Sequence, residues 1–217
     1  MGYNWDYLDA KSYNNKVGRY KFKREFDFII SYAKDNFHKV LDVAGGSGRF
    51  ALPLREFSRS ITVIDINQTA IQLLKERDNN INAICGDFIK TEINDTYSTI
   101  ICIEALGYFY DLKSFFNKTN SLLSDNGRLI IQYNNPRSWR FLLRELKHLK
   151  SGHYKYNELN LKELIKILSV CNLEIENMSG MNWIPLPLFS NSRFVNFFVK
   201  IEKYYDLRNG IPKAPGY

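Results

Sequence analysis

The sequence predicts an α/β protein: a doubly wound, mostly parallel sheet with helices on both faces. Three observations carry that prediction. From Lys39 onward, short apolar segments alternate with stretches of helical spacing, the pattern of a parallel sheet covered on both sides. The first segment ends in Asp42 and runs into a glycine-dense turn, Gly45-Gly46-Ser47-Gly48. Each of the first four strands closes on an acid: Asp42, Asp65, Asp87 and Glu104.

At 217 residues the chain is large enough for one domain with a real core. No apolar run reaches the roughly 18–20 residues needed to span a bilayer. The start, Met1-Gly2-Tyr3-Asn4-Trp5-Asp6, has no basic region followed by an apolar stretch, so no secretory signal is visible. Position 6 is Asp rather than Ser or Thr, and the N-myristoylation pattern fails as well. Cys85, Cys102 and Cys171 lie far apart in apolar segments, with neither CxxC spacing nor Cys/His clustering. This predicts reduced, buried thiols, no metal site and a cytoplasmic protein. A net charge of +7 leaves acidic partners open, peripheral contact with a membrane surface included, and does not by itself support nucleic-acid binding.

Taken in order, residues 12–37 read as a helix, with Tyr20, Phe22, Phe26, Ile29, Ile30 and Ala33 near helical spacing. The first strand is 39–44 and its helix 48–57. A second strand over 60–66 leads into a helix over 68–77, and a third strand over 82–85 ends at Gly86-Asp87-Phe88. The fourth strand, 98–103, ends at Glu104-Ala105-Leu106-Gly107. A helix over 111–123 follows, and Ser124-Asp125-Asn126-Gly127 turns into the fifth strand, 128–133. Helical spacing returns over 159–171, with Leu161, Leu164, Ile165 and Leu168 as the apolar face. A sixth strand is predicted over 173–178 and a last helix over 194–205. Two prolines bar residues 183–189 from a central strand; the stretch reads as an apolar wall over the acceptor, as a loop that caps the core, or as a dimer contact.

The glycine turn alone has several readings. Gly46-Ser47-Gly48-Arg49-Phe50-Ala51 satisfies the G-x-G-x-x-[G/A] dinucleotide fingerprint, and a plain surface turn competes with it. No Lys-Ser/Thr follows, which excludes a P-loop. Two ligand readings survive: a nicotinamide-type Rossmann domain and an S-adenosylmethionine-binding domain. Parallel strands bring their carboxyl ends to one edge, so the four acids share a rim. Asp65 comes 19 residues after Gly46, where an acid accepts hydrogen bonds from ribose hydroxyls. Asp87 can accept from an adenine amino group while Phe88 packs on the ring.

Asp42-Val43-Ala44-Gly45-Gly46-Ser47-Gly48, Val63-Ile64-Asp65-Ile66, Cys85-Gly86-Asp87-Phe88, Ile103-Glu104-Ala105-Leu106 and Leu122-Leu123-Ser124-Asp125-Asn126-Gly127-Arg128-Leu129 follow one another in a telling order. Together they resemble the ordered motifs of class I S-adenosylmethionine-dependent methyltransferases, nearest to the small-molecule (type 11) branch with its ubiquinone- and sugar-modifying enzymes. The likeness is good over 12–135 and looser beyond. It implies a Rossmann-like methyltransferase sheet and S-adenosyl-L-methionine as cofactor. Asp42, Gly45, Gly46 and Gly48 would border the methionine part, Asp65 the ribose, with Ile66, Asp87 and Phe88 at the adenine. Glu104 and Ala105 would line the floor beneath the sulfonium, and Tyr13 and Arg19 would sit near the methionine end. The implied organisation is a single domain, 1–217: an N-terminal helical cap (1–37), a cofactor-binding core (38–135), a basic acceptor-side insert (136–157) and a C-terminal part of the sheet and helices (158–217).

The chain departs from the family at two points. Gly107-Tyr108 stands where the family often has His-His, so a histidine base is absent there. The final antiparallel strand of the family would begin near Lys213, and that strand is expected to be missing. The expected activity is methyl transfer to a hydroxyl or amine of a small molecule, an anionic or nucleotide-linked sugar-type acceptor among the options. Tyr13 and Tyr108 are candidates to face the sulfonium charge, and Tyr108, His148 and His153 are the catalytic candidates. Residues 136–156 hold Arg137, Arg140, Arg144, Lys147, Lys150 and Lys155 against Glu145 alone, which suits an anionic acceptor or a merely solvated face. The alternatives are an NAD(P)-dependent Rossmann oxidoreductase and a catalytically silent regulatory subunit. The first loses ground because its Tyr-x-x-x-Lys pair, Tyr7 to Lys11, precedes the glycine turn instead of following it.

Overall fold

The computed structural model of the chain describes residues 6, 8, 13–33, 36–133, 160–181, 184–187 and 190–208, the last four as backbone. Five strands form one sheet: β1 (Lys39–Val43), β2 (Ser60–Asp65), β3 (Asn82–Cys85), β4 (Tyr97–Cys102) and β5 (Leu123–Ile131), in the order β3-β2-β1-β4-β5. Every pairing is parallel. The chain winds outward from β1 through β2 and β3, then crosses back to lay β4 on the other side of β1. The carboxyl ends of β1 and β4 therefore flank the topological switch point, where open sheets of this kind hold ligands.

Successive residues of a strand face opposite ways, and the helices divide accordingly. On one face α1 (Lys16–Ala33), α2 (Ala51–Leu54) and α3 (Gln68–Arg77) bury Ile29, Ala33, Leu54, Ile71 and Leu74 against Val40, Val63 and Ile101. On the other, α4 (Leu112–Leu122) and α5 (Leu161–Val170) bury Phe115, Phe116, Leu164 and Leu168 against Leu41, Ile64 and Ile100. The two cores are the double winding that the strand–helix alternation predicts. A third, smaller cluster joins Val17 of α1 and Ile184 to Val195, the first residue of α6 (Val195–Arg208). Local chemistry starts the helices where expected. Asn67 accepts the Ala70 N–H at 2.8 Å, Asp111 the Ser114 N–H at 2.9 Å, and Asn160 with Glu163 forms a reciprocal capping box.

Several expectations are corrected. The helix after the glycine turn does not begin at 48. Gly48 sits at φ +89°, outside the helical region, so the regular turns begin only at Ala51 and pass into a 3₁₀ turn over Arg55–Phe57. Ser124–Gly127 is not a turn ahead of a strand but a bulge within β5. Tyr97 pairs with Leu123 and Thr99 already with Arg128, so the intervening residues leave the ladder. Residues 173–178 form no strand. Ile175 and Met178 are exposed, and the segment is tied to the edge of β5 through Glu176, which accepts a forked pair of hydrogen bonds from Arg128 at 2.8 and 2.9 Å. Cys85 is exposed rather than buried, because it closes the edge strand β3; Cys102 and Cys171 are buried. Of the apolar stretch 183–189, Ile184 and Leu186 pack against α1 and α6 as a cap on the core; Trp183, Leu188 and Phe189 lie outside the described residues. The basic stretch 136–157, with His148 and His153, also lies outside them. No helix among the described residues is long and apolar enough to cross a membrane.

Candidate functional site at the carboxyl edge of the sheet

Backbone geometry marks the switch point. Ala44, directly after β1, and Glu104, two residues after β4, hold left-handed conformations at φ 57° and 61°. Such conformations strain residues with a side chain and concentrate at functional sites. Gly46 and Gly48 share the positive-φ region between them and α2. Gly45 is required for a different reason: a Cβ there would stand 2.6 Å from the Asp42 carboxyl carbon and 2.9 Å from Val63. The glycine turn is thus folded down onto the Asp42 side chain.

Asp42 is only 2% exposed, and its Oδ2 has no hydrogen-bond partner among the described residues. Burial, followed by the nearby charge of Asp65, pushes its pKa up to about 8 against the opposing pull of Arg49. Burial thus favours the neutral form of this acid beneath the loop. Asp65 stands higher on the rim. Its Oδ2 accepts the Gly46 N–H at 2.9 Å and its Oδ1 the Asn67 N–H at 2.8 Å. Burial raises its pKa, and those two backbone donors act to lower it. Beside it Ile66 is 74% exposed, an apolar side chain held in solvent at the mouth of the rim.

On the far side of the switch point Glu104 is the hub of a charged cluster. Its carboxylate accepts from the Tyr13 hydroxyl at 2.8 Å and the Arg49 guanidinium at 2.9 Å, and it pairs with Lys21. Arg49 turns its other nitrogen to Glu25 at 2.9 Å and lies over the Tyr13 ring at 4.1 Å, with Phe50 and Phe22 further off. Glu25 in turn meets Lys21 at 3.5 Å and the amide of Gln132 at 2.9 Å. Two acids and two bases balance, so a nearly buried cluster fastens α1 to the ends of β4 and β5. Lys21, Glu25, Arg49 and Gln132 were not among the residues singled out by sequence. One signal was there: Glu25 interrupts an otherwise apolar helix face between Phe22 and Ile29.

The structure thus brings together Tyr13, Asp42, Gly45, Gly46, Gly48, Asp65, Ile66 and Glu104, with Ala105 buried just beneath. Asp87 lies on the same edge, where its Oδ1 caps the following turn by accepting the Ile89 N–H at 2.8 Å. Phe88 does not offer its ring to the rim. The turn closed by the Asp87 carbonyl faces it inward, onto Phe115 at 5.4 Å and Phe109 at 6.2 Å. Arg19, expected near the methionine end, is exposed and donates to Asn14 at 3.0 Å, while Arg49 and Lys21 are the bases that meet Glu104. Tyr108 is exposed on the 3₁₀ turn after β4. A further tie crosses the loop from outside: Arg77 donates to the Ser47 carbonyl at 3.5 Å and pairs with Asp6.

Known proteins share the family and the fold of this chain. A family model described as a methyltransferase domain matches residues 13–198. The chain is 24% identical over 214 residues to the ubiquinone biosynthesis O-methyltransferase of Rickettsia prowazekii, covering 86% of this chain and 83% of that one. Among solved structures it resembles the PH0226 protein of Pyrococcus horikoshii at 25% identity, with a TM-score of 0.55 over 68% of each chain. It shares its fold with the magnesium protoporphyrin IX methyltransferase of Synechocystis with bound SAH, at 16% identity and a TM-score of 0.58, over 71% of this chain and 73% of that one.

Proposed function

The chain belongs to the class I S-adenosylmethionine-dependent methyltransferases, and from that premise we propose that it methylates a hydroxyl of a small, anionic acceptor. The O-methyltransferase named above supports the hydroxyl, and the six Lys/Arg against one acid in 136–156 support the anion. An amine acceptor is the second reading, favoured by the absence of a histidine at Gly107-Tyr108.

The residues present suit the cofactor. A left-handed glycine turn leaves backbone approachable, Asp65 offers a carboxylate at ribose distance in sequence, and Ile66 presents an apolar face beside it. When bound, S-adenosylmethionine supplies an electrophilic methyl group on a sulfonium sulfur. Asp65 is assigned the ribose hydroxyls, Asp87 and Ile66 the adenine, and the backbone from Ala44 to Gly48 the methionine part. Glu104 and Tyr13, joined by a hydrogen bond of 2.8 Å beside the switch point, are assigned the methionine end of the cofactor. Removal of an acceptor hydroxyl's proton falls to Tyr108, His148 or His153. The wide spacing of Cys85, Cys102 and Cys171 accords with work in the cytoplasm.

The observation that carries the cofactor assignment is the hydrogen bond of Asp65 to Gly46, which joins the acid to the glycine turn. Labelled-methyl transfer to panels of phosphorylated and uncharged phenols, sugars and amines tests the acceptor. Once one is found, changing Arg137, Arg140 and Arg144 singly to Lys and Ala should raise its KM more than about tenfold in at least one case, even as Lys, with cofactor affinity unchanged. An uncharged acceptor, or a triple Ala variant with unaltered kinetics, would return that stretch to plain solvated surface.

A further inference from the structure

One feature outside the rim stands on α6. Phe194, Phe197, Ile201 and Tyr204 are between 38% and 61% exposed and follow i, i+3, i+7 and i+10, so they form a single apolar stripe. Phe194 belongs to this surface because its carbonyl accepts the Phe198 N–H at 3.2 Å, extending the helical turn back to it. The opposite face is the one that folds against the protein. Val195, Phe198 and Val199 pack on Val17, Tyr20 and Ile184, and the buried Glu202 faces Arg24 at 3.8 Å. Arg193 and Lys200 are exposed along one flank of the stripe, and Lys203, also exposed, lies further round the helix toward Val199. The only acid among the described side chains of the helix, Glu202, is on the buried side.

We propose that this face of α6 docks on an anionic lipid surface. Phe194, Phe197 and Ile201 enter the boundary between headgroups and acyl chains, and Arg193 and Lys200 pair with lipid phosphates. Aromatic and aliphatic side chains beside lysines on one face of a helix are the chemistry such an interface selects. A second copy of the chain fits less well. Antiparallel self-pairing sets each flank of the stripe against its own copy, so Lys200 would face Lys200. Val17, against which α6 packs, lies four residues from Tyr13, so the docking face is one helix layer from the cofactor rim.

Co-sedimentation of the full chain with vesicles tests the proposal. Vesicles of phosphatidylcholine with about 30% phosphatidylglycerol should bind it at least about fivefold better than phosphatidylcholine alone, and the difference should shrink as salt rises from about 0.05 to about 0.5 M. Phe197→Ser with Ile201→Ser should cut binding about tenfold or more, and Arg193→Glu with Lys200→Glu should remove the preference for anionic vesicles. Both double variants should bind S-adenosylhomocysteine as the unaltered chain does, which reads folding and the cofactor rim separately from the lipid surface. A wild-type chain that ignores anionic vesicles overturns the proposal. So does a dimer in sedimentation velocity that the Phe197→Ser/Ile201→Ser variant dissolves, which would assign the face to a second copy.

Discussion

Asp65 holds Gly46: the carboxylate of the acid that ends β2 accepts the N–H of the glycine at the crest of the turn after β1, at 2.9 Å. The bond joins two neighbouring strands at their carboxyl ends. It couples the residue assigned to the ribose with the loop assigned to the methionine part, so neither can be altered alone.

Asp65→Ala should therefore weaken S-adenosylhomocysteine binding beyond the loss of its own ribose contacts. Charge-assisted hydrogen bonds contribute roughly 1.5–3 kcal/mol each. Titration calorimetry should read an affinity loss of at least about tenfold in a protein that remains folded, and equal affinity would remove Asp65 from the site.

The glycines separate by mechanism. Gly46→Val forces a β-branched residue to φ 56° and should abolish cofactor binding, with a stability cost of about 1–3 kcal/mol. At Gly48 the added Cβ would also stand 2.5 Å from Leu74 in the core, so Gly48→Val should unfold at distinctly lower denaturant than Gly46→Val. Denaturation midpoints of the pair decide it; the reverse order would contradict the packing.

Asp42 links stability to pH. Its folded pKa of about 8 lies above the ordinary 3.8, so the folded state binds the extra proton between those values. Stability from this group is fully present below about pH 4 and is lost as pH rises through 8, by about 3–4 kcal/mol between pH 5 and 8. Asp42→Asn, neutral at every pH, should flatten that part of the profile in urea unfolding. A variant with the wild-type slope would show that Asp42 is ionised in the folded protein.

Arg49 is enclosed by Glu25, Glu104 and three aromatic rings. Arg49→Ala leaves Glu25 and Glu104 with Lys21 alone to balance them and should cost up to about 3–5 kcal/mol. Arg49→Lys should recover only part of this, since one ammonium cannot fork to both carboxylates while stacking on Tyr13. Thermal melts of the two variants provide the comparison, and full recovery by Lys would reduce the cluster to simple charge balance.

The sequence by itself determined the double winding, the glycine turn, and the rim of Asp42, Asp65, Asp87 and Glu104. These depend on periodicity and on chemistry within a few residues, and both are written locally. Tertiary structure alone decided which way Phe88 faces, that residues 173–178 bond through Glu176 to Arg128 instead of extending the sheet, and that Ser124–Gly127 is a bulge. It also decided that Arg49 reaches both Glu104 and Glu25, and that Cys85 lies open at an edge. Each of these outcomes turns on a neighbour distant in the chain, and the cost of leaving a ring, a charge or a strand edge unmatched can be weighed only once that neighbour is in place.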